Sequence, residues 1–178
     1  MSDWCRGTAA SEADDRRTVR LKFLRKELLY DIKNYAYVEA DVMGEERQHA
    51  QHVLADVGES GNVDRVNRIL PVVHSAVTEM LYPYTKSKPI DEEIDDMMSA
   101  PDEYIIEMHI PMTMSRTTLM LLSRLIHEYM VYRVLGDWLS ITNAEASANW
   151  YAKAEEAERQ ILTVKNQRGV MTRATHPW

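Results

Sequence analysis

An all-α fold, a bundle of four to five helices, is what three features of this chain predict. Apolar residues recur at intervals of three and four over most of its length, as one face of a helix requires. Glycine occurs only 6 times and phenylalanine once, while methionine occurs 11 times, a profile poor in the turns of a sandwich or barrel. The chain has 178 residues, of which 45% are hydrophobic and 28% charged, enough for one core and ordinary for a globular protein.

The elements follow in order. Residues 1–14 read as a flexible N-terminus and residues 15–168 as a single helical domain. A first helix is expected from Asp14 or Asp15, where acidic residues suit a helix start. Leu21, Leu24, Leu28, Ile32, Tyr35, Val38 and Val42 form its apolar face. Gly44 weakens it, and helix resumes to about Val57. Residues 58–62 read as a turn. A second helix is expected over about 63–81, carrying Val66, Ile69, Leu70, Val73, Val77 and Met80, with Pro71 kinking it or marking its true first turn.

Residues 85–114 hold Pro89, Pro101, the acidic run of residues 91–96, and an extended arm. In that arm Tyr104, Ile106, Met108 and Ile110 alternate on one face before Pro111, the pattern of an edge strand. Ser115 is the expected N-cap of a helix over roughly 116–140 that is apolar nearly all round and therefore central. Arg124, His127, Glu128, Arg133 and Asp137 break the run of residues 119–139, so it reads as a buried helix and not a membrane span. Thr142 to Glu145 has capping-box spacing and opens the last helix. Trp150, Ala154, Ala157, Ile161 and Val164 are its stripe, with Glu155 and Arg159 a supporting pair. Gly169 is the expected stop, and residues 169–178 form a C-terminal tail.

Charge and cysteine content narrow the function. The formal net charge of −7 argues against gripping nucleic acid over the whole surface. The single cysteine, Cys5, allows no internal disulfide. The first twenty residues are polar and charged, so no signal peptide is expected, and synthesis is expected in the cytoplasm of the producing cell.

The sharpest candidate for chemistry is Glu46 with His49, a Glu-x-x-His of the kind that di-iron bundles use. Such a site needs a second Glu-x-x-His, and no other histidine has a glutamate three residues before it. His127-Glu128 fails the zinc-protease pattern because residue 131 is valine. Glu46 and His49 therefore read as a solvated helix face, with a di-iron or ferritin-like metalloprotein as the alternative. His127 reads as a hydrogen-bonded core histidine. No cofactor, metal or catalytic residue is expected. The tail ends in Trp178 after Arg168, Arg173, His176 and Pro177, a combination of aromatic and arginine that suits an interface anchor, with packing of Trp178 on its own domain as the alternative.

Three stretches carry a family resemblance: Tyr104-Ile105-Ile106-Glu107-Met108-His109-Ile110-Pro111, the run His127-Glu128-Tyr129-Met130-Val131-Tyr132-Arg133-Val134-Leu135-Gly136-Asp137-Trp138-Leu139-Ser140-Ile141-Thr142, and Ala148-Asn149-Trp150-Tyr151-Ala152-Lys153-Ala154-Glu155-Glu156-Ala157. Over residues 104–168 the chain resembles small helical structural proteins of tailed bacteriophages, the head–tail connectors also called adaptor or neck-ring proteins. That resemblance implies a non-enzymatic virion protein. It would form a ring, commonly twelve-fold, and bind the portal and other neck or tail proteins around passing DNA, with no sequence-specific DNA contact and no membrane. It also implies an arm or tail reaching a neighbour, with Arg168, Arg173, His176, Pro177 and Trp178 as the interface. A tail-completion or minor capsid protein is the neighbouring alternative.

Overall fold

The computed structural model describes residues 16–42, 60–86 and 100–166. The chain runs β1 (Arg16–Leu24), α1 (Arg25–Val42), α2 (Ser60–Met80), β2 (Glu103–Pro111), α3 (Arg116–Thr142) and α4 (Ala144–Lys165). It is mostly helical, with a two-stranded antiparallel sheet.

The sheet corrects the all-α expectation. Residues 16–24 do not begin a helix; they pair with β2, Arg17 opposite Ile110, Leu21 opposite Ile106 and Phe23 opposite Tyr104. Leu21, Leu24 and Leu28 satisfy a helical period, but Val19, Leu21 and Phe23 satisfy a period of two equally well. The strand wins because β2 offers a matching face: Tyr104, Ile106, Met108 and Ile110 are buried with Leu21 and Phe23. The segment expected as an arm is therefore a strand paired within its own chain. On the solvent face, Arg20 meets Glu107 at 2.7 Å and Lys22 meets Glu103 at 2.5 Å. Thr18 is 3.1 Å from the His109 ring.

The far edge of β2 is covered. The His109 N–H donates to the Tyr84 carbonyl at 2.7 Å, and the His74 ring nitrogen Nε2 donates to the Ile105 carbonyl at 3.2 Å. Burial lowers the His74 pKa below its ordinary value, the backbone bond opposing it, so the neutral ring is favoured there.

α1 buries Leu28, Ile32, Ala36 and Ala40, a strict i,i+4 row. Tyr35 and Val38, expected on that face, are exposed instead. α2 starts at Ser60, so Ser60, Gly61 and Asn62 open a helix where a turn was expected. Pro71 lies within that helix and does not begin it. Val66, Leu70, Val73 and Val77 are its buried row.

α3 is central, as its apolar circumference demands. It touches α1, α2 and α4, and Leu122, Ile126, Met130, Val134 and Leu135 are fully enclosed. Ser115 caps it as expected, its hydroxyl accepting from the Thr118 N–H at 3.0 Å. The next cap falls one residue later than the capping box suggested. Thr142 ends α3, and Asn143 caps α4 through a bond from the Ala146 N–H. The α4 stripe is buried as expected, and Asn166 ends the helix before Gly169. Arg159 pairs with Glu156 at 2.5 Å and not with Glu155.

The α3–α4 hairpin is tight because small residues meet large ones. Gly136 faces the Tyr151 ring, and a Cβ placed there would sit 3.0 Å from that ring. Ser147, itself buried, donates to the Gly136 carbonyl at 2.7 Å. Replacing Gly136 by Ala gains about 1 kcal/mol of helix propensity but overpacks the Tyr151 ring by about 1–3 kcal/mol, so a net loss of up to about 2 kcal/mol is expected. Leu122→Ala should cost about 2–5 kcal/mol through the cavity it leaves. Urea unfolding of both variants measures this, and two parent-like midpoints would contradict the packing of α3.

Candidate functional site

The richest gathering of polar and aromatic groups lies where α1, α3 and α4 meet. A cleft of about 250 Å³ is lined by Asp31 and Tyr35 from α1 and by Arg124, His127, Glu128, Val131 and Tyr132 from α3. A second, of about 370 Å³, shares Glu128 and Tyr132 and continues along Lys153, Glu156 and Gln160 of α4. Helical spacing explains the wall: Arg124, Glu128 and Tyr132 recur at four, and His127 and Val131 recur beside them.

His127 is hydrogen-bonded, as expected, but at the rim and not in the core. Its Nε2 lies 2.8 Å from Asp31 Oδ2, with the ring about a quarter exposed. Three rings back the cleft. Tyr35 and Trp150 stand 5.2 Å apart between centroids, Tyr132 and Trp150 5.6 Å, and Tyr35 and Tyr132 6.2 Å in an edge arrangement. The Trp150 indole N–H donates to Glu39 at 2.9 Å, which ties α4 to α1. The Lys153 ammonium lies 3.7 Å from the Trp150 ring centroid. Such a contact is worth about 0.5–1 kcal/mol when exposed.

Tyr132 is the most perturbed of these groups. Burial first, then the Glu128 charge, then Tyr35 as neighbour and hydrogen-bond partner, push its phenol up to about 12. Tyr132 is therefore a neutral phenol throughout the neutral range. Glu156, at the other end, is held below the usual carboxylate range by hydrogen bonds from Gln160 and Arg159. Chemically, the aromatic faces and carboxylates attract cationic groups, and Lys153 already uses one of those faces. The Asp31–His127 contact ties α1 to α3 across the cleft.

Glu46, His49, the acidic run of 91–96, Arg168, Arg173, His176, Pro177 and Trp178 lie outside the described residues. Among the described residues, no group of three or more histidine, cysteine or acidic side chains is placed to hold a metal ion. No helix there is long and apolar enough to cross a membrane. The Asp31–His127 contact joins residues 96 positions apart, and no local pattern announces it. The i,i+4 row of Arg124, Glu128 and Tyr132 was the available signal.

No family model matches the chain, and no curated protein or solved structure matches it.

The raised Tyr132 phenol has a consequence for stability. An unfolded tyrosine loses its proton near pH 10, while the folded one holds it to about 12. The folded state therefore binds more protons between these values, and its stability is present below pH 10 and lost as pH rises toward 12. Tyr132→Phe should flatten that alkaline decline. Urea midpoints taken across this interval, with ultraviolet titration of the phenolates, check it; an unchanged decline would place the strain elsewhere.

Proposed function

We propose that this protein is an assembly subunit of a tailed-phage virion, a head–tail connector that forms a ring and bridges the portal and the tail around the DNA channel. The observation that carries this reading is the set of large apolar side chains that α1 turns outward. Tyr30 and Tyr37 are each 65% exposed and Val38 is 58% exposed. Positions i, i+7 and i+8 fall on one side of the helix, with the exposed Lys33 and Asn34 between Tyr30 and the other two, an aromatic and polar mixture of the kind interfaces use. A bundle that buries the middle of α3 yet leaves tyrosines outward on α1 has surface suited to a neighbour. The resemblance of residues 104–168 to neck proteins points the same way. The net charge of −7 suits a channel wall that lets DNA slide past. In this reading Arg168, Arg173, His176, Pro177 and Trp178 anchor the subunit on its neighbour or on the portal.

The test separates assembly from folding. Tyr30→Ser with Tyr37→Ser should leave the melting temperature nearly unchanged and shift the sedimenting species from ring to monomer. Deleting residues 170–178 should likewise spare helicity while abolishing co-purification with the portal protein of the same genome. A parent protein that stays monomeric alone and ignores the portal would overturn the proposal.

A further inference from the structure

The β1–β2 ladder has a direction that the solvent face conceals. The Arg25 N–H donates to the Asp102 carbonyl at 2.9 Å, directly beyond the last cross-strand pair. Hydrogen-bonded and non-bonded pairs alternate in an antiparallel ladder. Residues 17, 19, 21 and 23 therefore turn their backbone groups toward β2, and residues 18, 20 and 22 turn theirs away from it. The same phase holds on β2, where the His109 N–H and the Ile105 carbonyl point outward and are met by Tyr84 and His74. One edge of this sheet is thus closed. On the other, the backbone groups of Thr18, Arg20 and Lys22 meet no third strand, because the sheet has only two among the described residues.

We propose that the outer edge of β1 is a strand-addition site for an extended partner segment that alternates apolar and acidic residues. Three features select that occupant. The backbone groups at 18, 20 and 22 give a row of donors and acceptors at strand spacing. On the solvent face, Arg20 and Lys22 already alternate with Glu107 and Glu103 across the ladder. Carboxylates on an added strand would extend that alternation to acid, base, acid. On the inner face, Val19 is half-buried while Leu21 and Phe23 are buried, so apolar side chains beside Val19 would lengthen the existing core.

The same charges decide against a second copy of β1. Its own arginines and lysine would face those of its twin, and like charges directly opposite destabilise a pair. Basic residues on an edge guard it against indiscriminate pairing. Here they also make it selective, refusing its own kind and accepting an acidic strand. This inference goes beyond the virion reading and stands on the ladder alone.

The experiment uses the full chain, isotope-labelled, and a short blocked peptide of alternating glutamate and valine. Added peptide should slow hydrogen exchange at the amides of Thr18, Arg20 and Lys22. A peptide N-methylated on the amides that face β1 should bind about tenfold weaker or less, whereas methylation of the opposite amides should spare binding. The lysine–valine counterpart should also lose about tenfold. Proline is tolerated where an edge N–H points away from the sheet, so Arg20→Pro should keep the fold and lose the peptide, while Arg20→Thr keeps the N–H and retains binding in part. Should Arg20→Pro unfold, the methylated peptides decide alone. No protection at the three amides, equal binding of the lysine peptide, or indifference to which amides are methylated would overturn the proposal.

Discussion

Everything in this fold is arranged around the need to enclose α3. A helix with leucine, isoleucine, methionine and valine on nearly every side cannot rest against a single partner, because each apolar side chain left in water forgoes about 1.5–3 kcal/mol of burial. α1, α2 and α4 meet that need from three directions. Their amphipathic rows are narrow: Leu28, Ile32, Ala36 and Ala40 on α1, and Trp150, Ala154, Ala157 and Ile161 on α4. Alanines recur in both rows, which lets helices approach closely without overfilling the centre.

The cleft between α1, α3 and α4 follows from the same packing. Where the apolar surface of α3 gives way to Arg124, His127 and Glu128, the neighbouring helices can no longer close on it. Polar partners replace methylenes there: Asp31 for His127, Glu39 for the Trp150 indole, and Trp150 for Lys153. Tyr132 sits at the boundary, its ring within the aromatic wall and its phenol beside Glu128; burial first and that charge second hold its proton.

The central helix was legible because a continuous apolar run with a serine before it admits few alternatives. So was β2, whose strict alternation ends in a proline. β1 was not, since Leu21, Leu24 and Leu28 fit two periods, and only pairing with a strand far along the chain decides between them. Residues 60–62 look like a turn and are helix because a helix start tolerates glycine and asparagine. Little of the cleft was visible in advance. Arg124, Glu128 and Tyr132 share a helical face that spacing reveals, but the partners Asp31, Tyr35 and Trp150 arrive from other helices, and their approach is a property of tertiary packing.

The two pairings that build the molecule differ in how much chain they must gather. The bond from Ser147 to Gly136 spans 11 positions, whereas that between Arg20 and Glu107 spans 87. Closing a loop costs roughly (3/2)RT ln n, or about 2 kcal/mol for the first and about 4 kcal/mol for the second. The α3–α4 hairpin is thus a local pairing, and the sheet is a long-range one that carries the larger chain-entropy cost. That cost is met by burial on both strands at once: Leu21 and Phe23 of β1 enter the same core as Tyr104, Ile106, Met108 and Ile110 of β2, so the two distant stretches of chain are joined by shared apolar contacts as well as by the ladder.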